Sequence, residues 1–394
     1  MKPLLDVPLL QRELATTGSE VAARGAARLA YIDVLRVALI VLVVAHHAGQ
    51  AYGPGAGGQA GGVWPISDPA KAAIFSSFFS VNAAFFMGLF FLLSALFVPT
   101  SFDRKGAIPF LRDRLFRLGV PLAVVLLVGE SAELARSVLA TDARDTFVSH
   151  MLDYLSLFAL GGGYPGHLWF VEHLLVYALL YTAWRALTAH WSPRRLPIPN
   201  NAAILGYVLL LALVTFVVRI EYPINRWVYL FGFVYSEVGH LPQYASLFVI
   251  GLVAARGQWL QRLPTRRGLL WLGIGVLVAT GRYLLPIGTP GGANLGSVIW
   301  SLAEAFIATG LCLGLIVLFR EYVAKPGRLL LRMAPNTYGV YVVHLFVVLA
   351  AQLVLLPLAA PALVKFAVVT VVAVVLSFAA TALLRLSPAV RVVL

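Results

Sequence analysis

Long apolar segments dominate this sequence and strongly limit what it can fold into. Each of ten segments has close to the about 20 mostly apolar residues that a helix needs to cross the hydrocarbon core of a membrane. The segments are residues 31–51, 74–98, 118–138, 167–189, 202–219, 240–256, 268–287, 296–319, 336–357 and 362–384. Only 12% of the 394 residues are charged, whereas a soluble domain carries roughly 25%. The sequence therefore predicts an all-α integral membrane protein with about ten transmembrane helices.

The positions of Lys and Arg predict the orientation of these helices. If the N-terminus is cytoplasmic and the helices alternate, 23 of the 30 Lys and Arg residues fall in inner segments and 7 in outer ones. The outer seven are Lys71, Arg136, Arg144, Arg219, Arg226, Arg282 and Lys365. Cytoplasmic loops carry such an excess, so both termini are predicted to be cytoplasmic, in a multi-pass protein of the inner membrane. The net charge of +13 is spread between apolar segments and forms no single patch, which argues against nucleic acid as a partner.

The chain divides into a short tail and one membrane domain. Residues 1–28 are polar, with mixed charge and no short apolar core of a secretory signal, so they are predicted to form a flexible cytoplasmic tail. Residues 29–394 are predicted to form the membrane domain. The aromatic stretch at 227–235 precedes the weakest apolar segment, and the sequence leaves open whether 227–240 is a loop or a partial helix.

The first apolar segment carries four ionisable residues, Asp33, Arg36, His46 and His47. Such residues are costly inside a membrane unless they face a cavity or a partner. Arg36 and His47 are 11 residues apart, close to three helical turns, so both lie on one face about 16 Å apart along the axis. Asp33 shares that face, whereas His46 points about 100° away. Two interpretations are open: Asp33 neutralises Arg36 beside a packed histidine, or this face carries a binding and catalytic site.

A second basic element, FLRDRLFRLGVP, opens the third segment. Its Arg114 and Arg117 are three residues apart, one helical turn, so both guanidinium groups can converge on a single anion. The plainer interpretation is a cluster of positive charge that only marks the cytoplasmic side. The functional interpretation is a phosphate clamp that faces the cytosol.

Glu304 lies well inside the eighth segment, with no cation within one helical turn. A carboxylate in this position needs a partner, and an arginine or histidine of another helix is the natural one. The candidate partners are Arg36 and the pair Arg114 and Arg117. Glu304 is therefore a candidate for a structural or electrostatic role.

Other polar residues interrupt apolar segments. Tyr341 and His344 lie on a polar seam of the ninth helix, and Trp169 and Glu172 lie near the outer end of the fourth. Trp169 alone would be an interface anchor, and Glu172 can simply face water. No metal site is predicted, because no histidine and carboxylate spacing typical of one occurs and the single cysteine, Cys312, is isolated.

The stretch RLAYIDVLRVALIVLVVAHHAGQAYG resembles the opening of the integral-membrane acyltransferase family 3. Members of that family carry an Arg or Lys, ten residues and then a His in the first helix, which corresponds here to Arg36 and His47. The family's Arg-x-x-Arg motif corresponds to Arg114 and Arg117.

Further blocks extend the resemblance over residues 29–384. LWF at 168–170 and YGVYVVH at 338–344 are similar to blocks of the family, and the segments around HHAGQAYG, VPTSFDRKG and FLRDRLFRLGVP most resemble its glucan-biosynthesis-protein-C-like branch. One departure is Ser94-Ala95, where relatives often have Ser-Gly. This departure casts doubt on close packing there and leaves the catalytic group unaffected.

The resemblance implies acyl transfer, of acetyl or succinyl groups, from cytoplasmic acyl-CoA to a hydroxyl of a glycan or lipid-linked sugar. No bound cofactor is expected, since acyl-CoA is the donor substrate. Arginines at the inner edge, Arg36 with Arg114 and Arg117, can hold the phosphates of CoA. The pantetheine arm can then reach His47, which is expected to deprotonate the acceptor hydroxyl.

Two other classes of protein compete with this interpretation. A proton-coupled secondary transporter of a small anionic or sugar-like solute also has buried Arg, Glu and His residues, but it should show repeat symmetry between its halves, which the sequence lacks. A non-catalytic membrane scaffold is the third possibility. Cleavage of an acyl-CoA thioester by the purified protein separates all three.

Overall fold

Helices make up most of the chain in the computed structural model of this protein. The described residues are 30–54, 64–127, 165–191, 195–285, 289–323 and 326–394. In chain order the α-helices are α1 (Ala30–Gly49), α2 (Ile74–Ala83), α3 (Phe86–Ala95), α4 (Val98–Lys105), α5 (Ala107–Arg114), α6 (Trp169–Leu187), α7 (Asn201–Glu221), α8 (Leu241–Gly257), α9 (Trp259–Arg262), α10 (Thr265–Leu284), α11 (Leu295–Tyr322), α12 (Arg328–Met333), α13 (Thr337–Leu355), α14 (Ala362–Leu384) and α15 (Pro388–Val393). The predicted tail at 1–28 and residues 128–138 of the third predicted span lie outside the described residues.

Seven of the described helical stretches are long and apolar enough to cross a membrane. They are Ala30–Tyr52, Ile74–Lys105, Asn201–Glu221, Val238–Gly257, Leu295–Tyr322, Arg328–Leu355 and Ala362–Leu384. Helices α6 and α10, of 19 and 20 residues, lie where the fourth and seventh spans were predicted. The predicted all-α, multi-pass membrane fold is therefore confirmed.

The second predicted span is interrupted between α2 and α3. The carbonyl of Ala84 accepts a hydrogen bond of 2.8 Å from the side-chain amide of Gln243. The carbonyl of Phe85 faces the thiol of Cys312 at 3.9 Å. A break in a membrane helix is tolerated where neighbouring side chains bind the backbone groups it releases. The thiol of Cys312 is thus one of the side chains at this break, where it acts as a weak S–H donor.

Helices α10 and α11 approach each other closely through glycines. A Cβ atom on Gly310 would lie 2.5 Å from the carbonyl oxygen of Trp271 and 2.7 Å from the Cα atom of Gly275. No side chain fits in this space. Small residues at helix contacts allow such backbone approach, and membrane helices associate through this kind of packing.

The stretch at 227–240, left open between a loop and a partial helix, is a β-hairpin followed by a 3₁₀ turn. Strand β1 (Trp227–Leu230) pairs antiparallel with β2 (Val234–Glu237), and the turn spans Val238–His240. The idea of a partial helix is wrong because aromatic and β-branched residues alternate here with the period of a strand. Gly232 at φ 81° lets the chain reverse.

Helix α1 is enclosed by other helices. It packs against α11, α13 and α14, and most of its side chains are buried. A span with this environment does not expose a full face to lipid. The polar face that carries Arg36 and His47 therefore points into the protein.

Candidate active site

A cavity of about 610 Å³ lies at the end of the helix bundle that is predicted to face the cytoplasm. Arg36, Arg114 and Arg117 all line it, so the three arginines singled out from the sequence share one space. Arg385, which follows α14, is a fourth. Asp33 lines the same cavity and lies 3.7 Å from Arg36. The lining therefore carries an excess of positive charge.

The backbone between two of these arginines departs from an ordinary α-helix. Leu115–Gly119 form a π-helical turn, so Arg114 and Arg117 do not have the regular one-turn spacing that the sequence predicted. The Nε atom of Arg117 donates to the carbonyl of Val392 at 3.3 Å, and its own carbonyl accepts from the hydroxyl of Tyr338 at 2.9 Å. Such π turns occur frequently at functional sites.

A row of three histidine rings begins where the cavity ends at Tyr341. The Tyr341 hydroxyl donates to the carbonyl of His167, in the turn before α6. The ring of His167 lies 5.1 Å from that of His344, which lies 5.0 Å from that of His47. His47, His344 and His167 are called the histidine row below. It links the arginine-lined cavity to the predicted catalytic histidine.

Hydrogen bonds fix the tautomers of His344 and His47. His344 Nδ1 lies 2.7 Å from the carbonyl of Tyr341, and a carbonyl only accepts, so the proton is on Nδ1 and His344 Nε2 is an acceptor. His47 Nδ1 lies 3.0 Å from the carbonyl of Val43 and 3.2 Å from His344 Nε2. Since both neighbours accept, His47 Nδ1 carries the proton. The Nε2 atom of neutral His47 is thus left with a lone pair.

His46 differs from His47 in its surroundings. It is buried among aromatic rings, with ring centroids 5.0 Å from Phe86 and 5.1 Å from Phe79. Its Nε2 accepts from the side-chain amide of Gln50 at 3.1 Å. The lone pair of His46 is therefore already bound, and only His47 of the two is partly exposed.

Trp64 and Gln352 hold the other side of His47, and neither was predicted from the sequence. The indole of Trp64 stacks on the His47 ring at 5.6 Å and 29°. Its Nε1 donates to Gln352 Oε1 at 2.9 Å, while Gln352 Nε2 donates to the carbonyl of Ala48 at 3.0 Å. The amide of Gln352 thus ties the indole to the last turn of α1.

Glu304 is paired with an arginine and a histidine from other elements, as predicted, but not with the candidates Arg36, Arg114 or Arg117. Its Oε1 accepts from Arg219 Nη2 at 2.6 Å and lies 3.0 Å from His240 Nε2. Arg36, Arg114 and Arg117 lie instead around the cavity at the opposite, predicted cytoplasmic end. These candidates were wrong because Arg219 was counted as an outer-loop charge, whereas it is fully buried at the end of α7.

These residues belong to a group of four ionisable side chains, which is called the ionic cluster below. Its members are Arg219, Glu304, His240 and Glu237. His240 Nδ1 lies 2.7 Å from Glu237 Oε2, and Arg219 Nε donates to the carbonyl of Gly239 at 3.0 Å. All four side chains are buried. The ionic cluster thus joins the hairpin to α7 and α11.

Trp169 and Glu172 support the hairpin rather than the histidine row. Glu172 Oε2 accepts from the backbone N–H of Tyr235 at 3.0 Å, so its carboxylate is not simply wet. The indole of Trp169 packs against that of Trp227 at 5.5 Å. Among the described residues, no three His, Cys, Asp or Glu side chains are arranged to hold a metal ion.

Comparison with known proteins identifies the family. The family description "Acyltransferase domain", of acyltransferase family 3, matches residues 29–382, nearly the whole chain. The chain belongs to acyltransferase family 3. No curated protein and no solved structure matches the chain.

Family membership accounts for only part of this acyltransferase's site. The motif residues Arg36, Arg114 and Arg117 line one cavity, but Arg385 lines it too and its only sequence signal was a basic residue after an apolar span. His167 likewise had a weak signal, one position before the LWF block. The assignment to the glucan-biosynthesis-protein-C-like branch stays a prediction.

Proposed function

We propose that this acyltransferase moves an acyl group, acetyl or succinyl, from cytoplasmic acyl-CoA to a hydroxyl of a glycan or lipid-linked saccharide at the outer side of the inner membrane. The observation that supports the proposal is that the arginine-lined cavity and the histidine row meet at one residue, Tyr341. Tyr341 lines the cavity and contacts the His344 ring at 5.9 Å, and His344 contacts His47.

The arginine-lined cavity suits the phosphates of CoA. Four arginines and one aspartate line the cavity, and guanidinium groups bind phosphates through paired, charge-assisted hydrogen bonds. Arg36 and His47 are separated by about 16 Å along α1. The extended pantetheine arm has a comparable length, so CoA bound near Arg36 can present its thioester toward the histidine row.

His47 is the proposed general base. Its Nε2 takes the proton of the acceptor hydroxyl while the hydroxyl oxygen attacks the carbonyl carbon of the thioester. The carbon–sulfur bond then breaks, and the CoA thiolate takes the proton from the His47 imidazolium. The products are an ester and free CoA thiol. His344, with its Nε2 facing His47 Nδ1–H, stabilises the tautomer and the cation that forms.

The test is thioester cleavage by the purified protein in nanodiscs, followed as release of CoA thiol from acetyl-CoA and succinyl-CoA. We expect thiol release that increases when glycan acceptors extracted from the membrane are added. Arg114→Ala and Arg117→Ala should weaken the response to acyl-CoA, whereas Arg266→Ala, an exposed arginine outside the cavity lining, is the matched control. Proton-driven solute uptake by proteoliposomes without any thiol release would instead support a transporter and reject acyl transfer.

A further inference from the structure

The β-hairpin carries a strip of aromatic rings, composed of Trp169 on α6 and Trp227, Tyr235 and Tyr229 on the hairpin. Neighbouring rings along it are in contact: Trp169 with Trp227 at 5.5 Å, Trp227 with Tyr235 at 4.8 Å, and Tyr235 with Tyr229 at 5.0 Å. Tyr229 is 39% exposed. The strip thus extends from the interior to the exposed end of the hairpin.

The position of the hairpin argues that this strip faces water rather than lipid. The hairpin lies between the end of α7 and the start of α8, next to the exposed charged residues Glu221 and Arg226. Charged side chains are costly in contact with the hydrocarbon of a membrane, so this end of the two helices lies in water. An apolar patch exposed to water is, in turn, a mark of a binding surface.

The inner end of the strip is continuous with the candidate active site. Trp169 follows His167 of the histidine row by two residues, and its ring contacts the ring of Phe170, which lies 5.8 Å from that of Tyr341. A chain-like ligand lying on the strip would therefore point its end toward the histidine row.

The hairpin is also held rigidly. Glu172 binds the N–H of Tyr235, and His173 Nε2 lies 3.1 Å from Ser236 Oγ. Glu237 anchors the end of β2 in the ionic cluster through His240. Rings fixed in this way lose little conformational freedom when they bind a ligand, which favours binding.

We propose that the aromatic strip is the binding surface for a neutral oligosaccharide chain, the acceptor of the reaction, an inference that rests on the proposed function. The rings of the strip are neutral, and Trp and Tyr combine a flat apolar face with one polar group. A pyranose ring presents the matching surface, an apolar C–H face rimmed by hydroxyl groups. The strip would hold several sugar residues of one chain while its end reaches His47.

The experiment measures saccharide binding directly, through the tryptophan fluorescence and binding heat of the purified full chain in nanodiscs. The probes are neutral linear tetrasaccharides of glucose, galactose or mannose, each compared with its monosaccharide. We expect at least one tetrasaccharide to bind at millimolar concentration, more tightly than its monosaccharide. Tyr229→Ser should weaken that binding by about threefold to tenfold, since one aromatic contact is lost.

Two variants control for indirect effects. Tyr229→Phe keeps the ring and should retain the binding. Tyr322→Ser makes the same substitution at a tyrosine that is 70% exposed at the end of α11, away from the hairpin, and should have no effect. Acetyl-CoA cleavage without saccharide is measured on every sample, because Tyr229 lies at the exposed end of the strip and does not line the arginine-lined cavity, so Tyr229→Ser should leave this cleavage unchanged.

The outcomes separate this inference from the proposed function. Thiol release together with no binding of any tetrasaccharide, or with equal binding by Tyr229→Ser and the wild type, overturns the role of the strip. Binding that depends on Tyr229 without any thiol release supports the strip and rejects acyl transfer. If brominated lipids quench the hairpin tryptophans and Tyr229→Ser alters only this quenching, the strip is a membrane anchor and the proposal is wrong.

Discussion

The histidine row and the ionic cluster are both polar groups buried in an apolar helix bundle, yet they differ in how fully their hydrogen-bonding capacity is used. In the ionic cluster, Arg219 donates to Glu304 and to the Gly239 carbonyl, and His240 lies between two carboxylates. In the histidine row, the contacts fix the tautomers and still leave the lone pair of His47 Nε2 available.

Whether a buried polar group is fully paired decides if it is suited to chemistry. A charge that is buried and fully paired stabilises one arrangement of helices, and removing its partner is strongly destabilising. A neutral imidazole with a fixed tautomer and a free lone pair can instead accept a proton from a substrate. We therefore assign a structural role to the ionic cluster and a catalytic role to His47.

The largest effect on turnover is expected when the imidazole of His47 is removed. General-base catalysis contributes typically 10²–10⁴-fold, so His47→Ala should lower turnover by about that factor. Binding of acyl-CoA should persist, because the arginine-lined cavity is unchanged. Turnover and donor binding are measured together in the same nanodiscs.

His46→Ala is the matched control, at the neighbouring position on the same helix. It should lower turnover far less, because the lone pair of His46 is bound by Gln50. An inactive His46→Ala beside an active His47→Ala would show that the wrong histidine was assigned. Loss of donor binding in His47→Ala would show a structural role.

Removing one charge of the ionic cluster should lower the stability of the folded protein. Glu304→Gln leaves Arg219 buried without its charged partner, and breaking a buried ion pair in this way costs about 3–5 kcal/mol. We expect a large fall in the thermal unfolding temperature of the detergent-solubilised protein. The double variant Arg219→Met with Glu304→Gln should be less destabilised than the sum of the two single variants. Wild-type stability of Glu304→Gln would refute the structural role.

The sequence predicted the helices better than the partners of their polar residues. Apolar runs of membrane-spanning length identify α1, α7, α11 and α14 directly, because lipid requires such runs. The partner of Glu304 could not be predicted, since Arg219 is 85 residues away and helix packing alone brings the two together. Lys365 was counted as an outer-loop charge, but it forms a buried ion pair with Asp68 at 2.7 Å. This pair could not be predicted either, because packing joins residues that are far apart in the chain.

In the candidate site, too, positions along a helix were predictable from the sequence and contacts between helices were not. Helical periodicity predicts that Arg36 and His47 share one face of α1, and the helices packed around α1 enclose that face in the protein. It could not show that Trp64 stacks on His47, or that Gln352 holds both, because these residues come from separate parts of the chain. The hairpin was missed because only a loop and a partial helix were considered for this stretch of a membrane protein, and the strand pattern of its residues was not.

The arginine-lined cavity provides a third test, with a smaller expected effect. A hydrogen bond to a charged group is worth roughly 1.5–3 kcal/mol, so Arg114→Ala or Arg117→Ala should weaken acyl-CoA binding at least about tenfold. Lys at either position should rescue poorly, since it lacks the forked guanidinium. Arg385→Ala should weaken binding as well. Unchanged affinity in all three variants, equal to that of Arg266→Ala, would mean that these arginines only mark the cytoplasmic side.

The smallest effect is expected at Trp64, where the contacts of His47 extend beyond the histidine row. Trp64→Phe keeps an aromatic ring over His47 but removes the N–H that donates to Gln352, and a neutral hydrogen bond contributes about 0.5–1.5 kcal/mol. We expect kcat to fall by at most about tenfold, with an unchanged KM for acyl-CoA and nearly unchanged thermal stability. Gln352→Met should have a similar effect, and the double variant should lose little more than either single one, because both remove the same bond. Additive losses would show that Trp64 and Gln352 act on His47 independently, and a raised KM for acyl-CoA would place Trp64 with the donor instead.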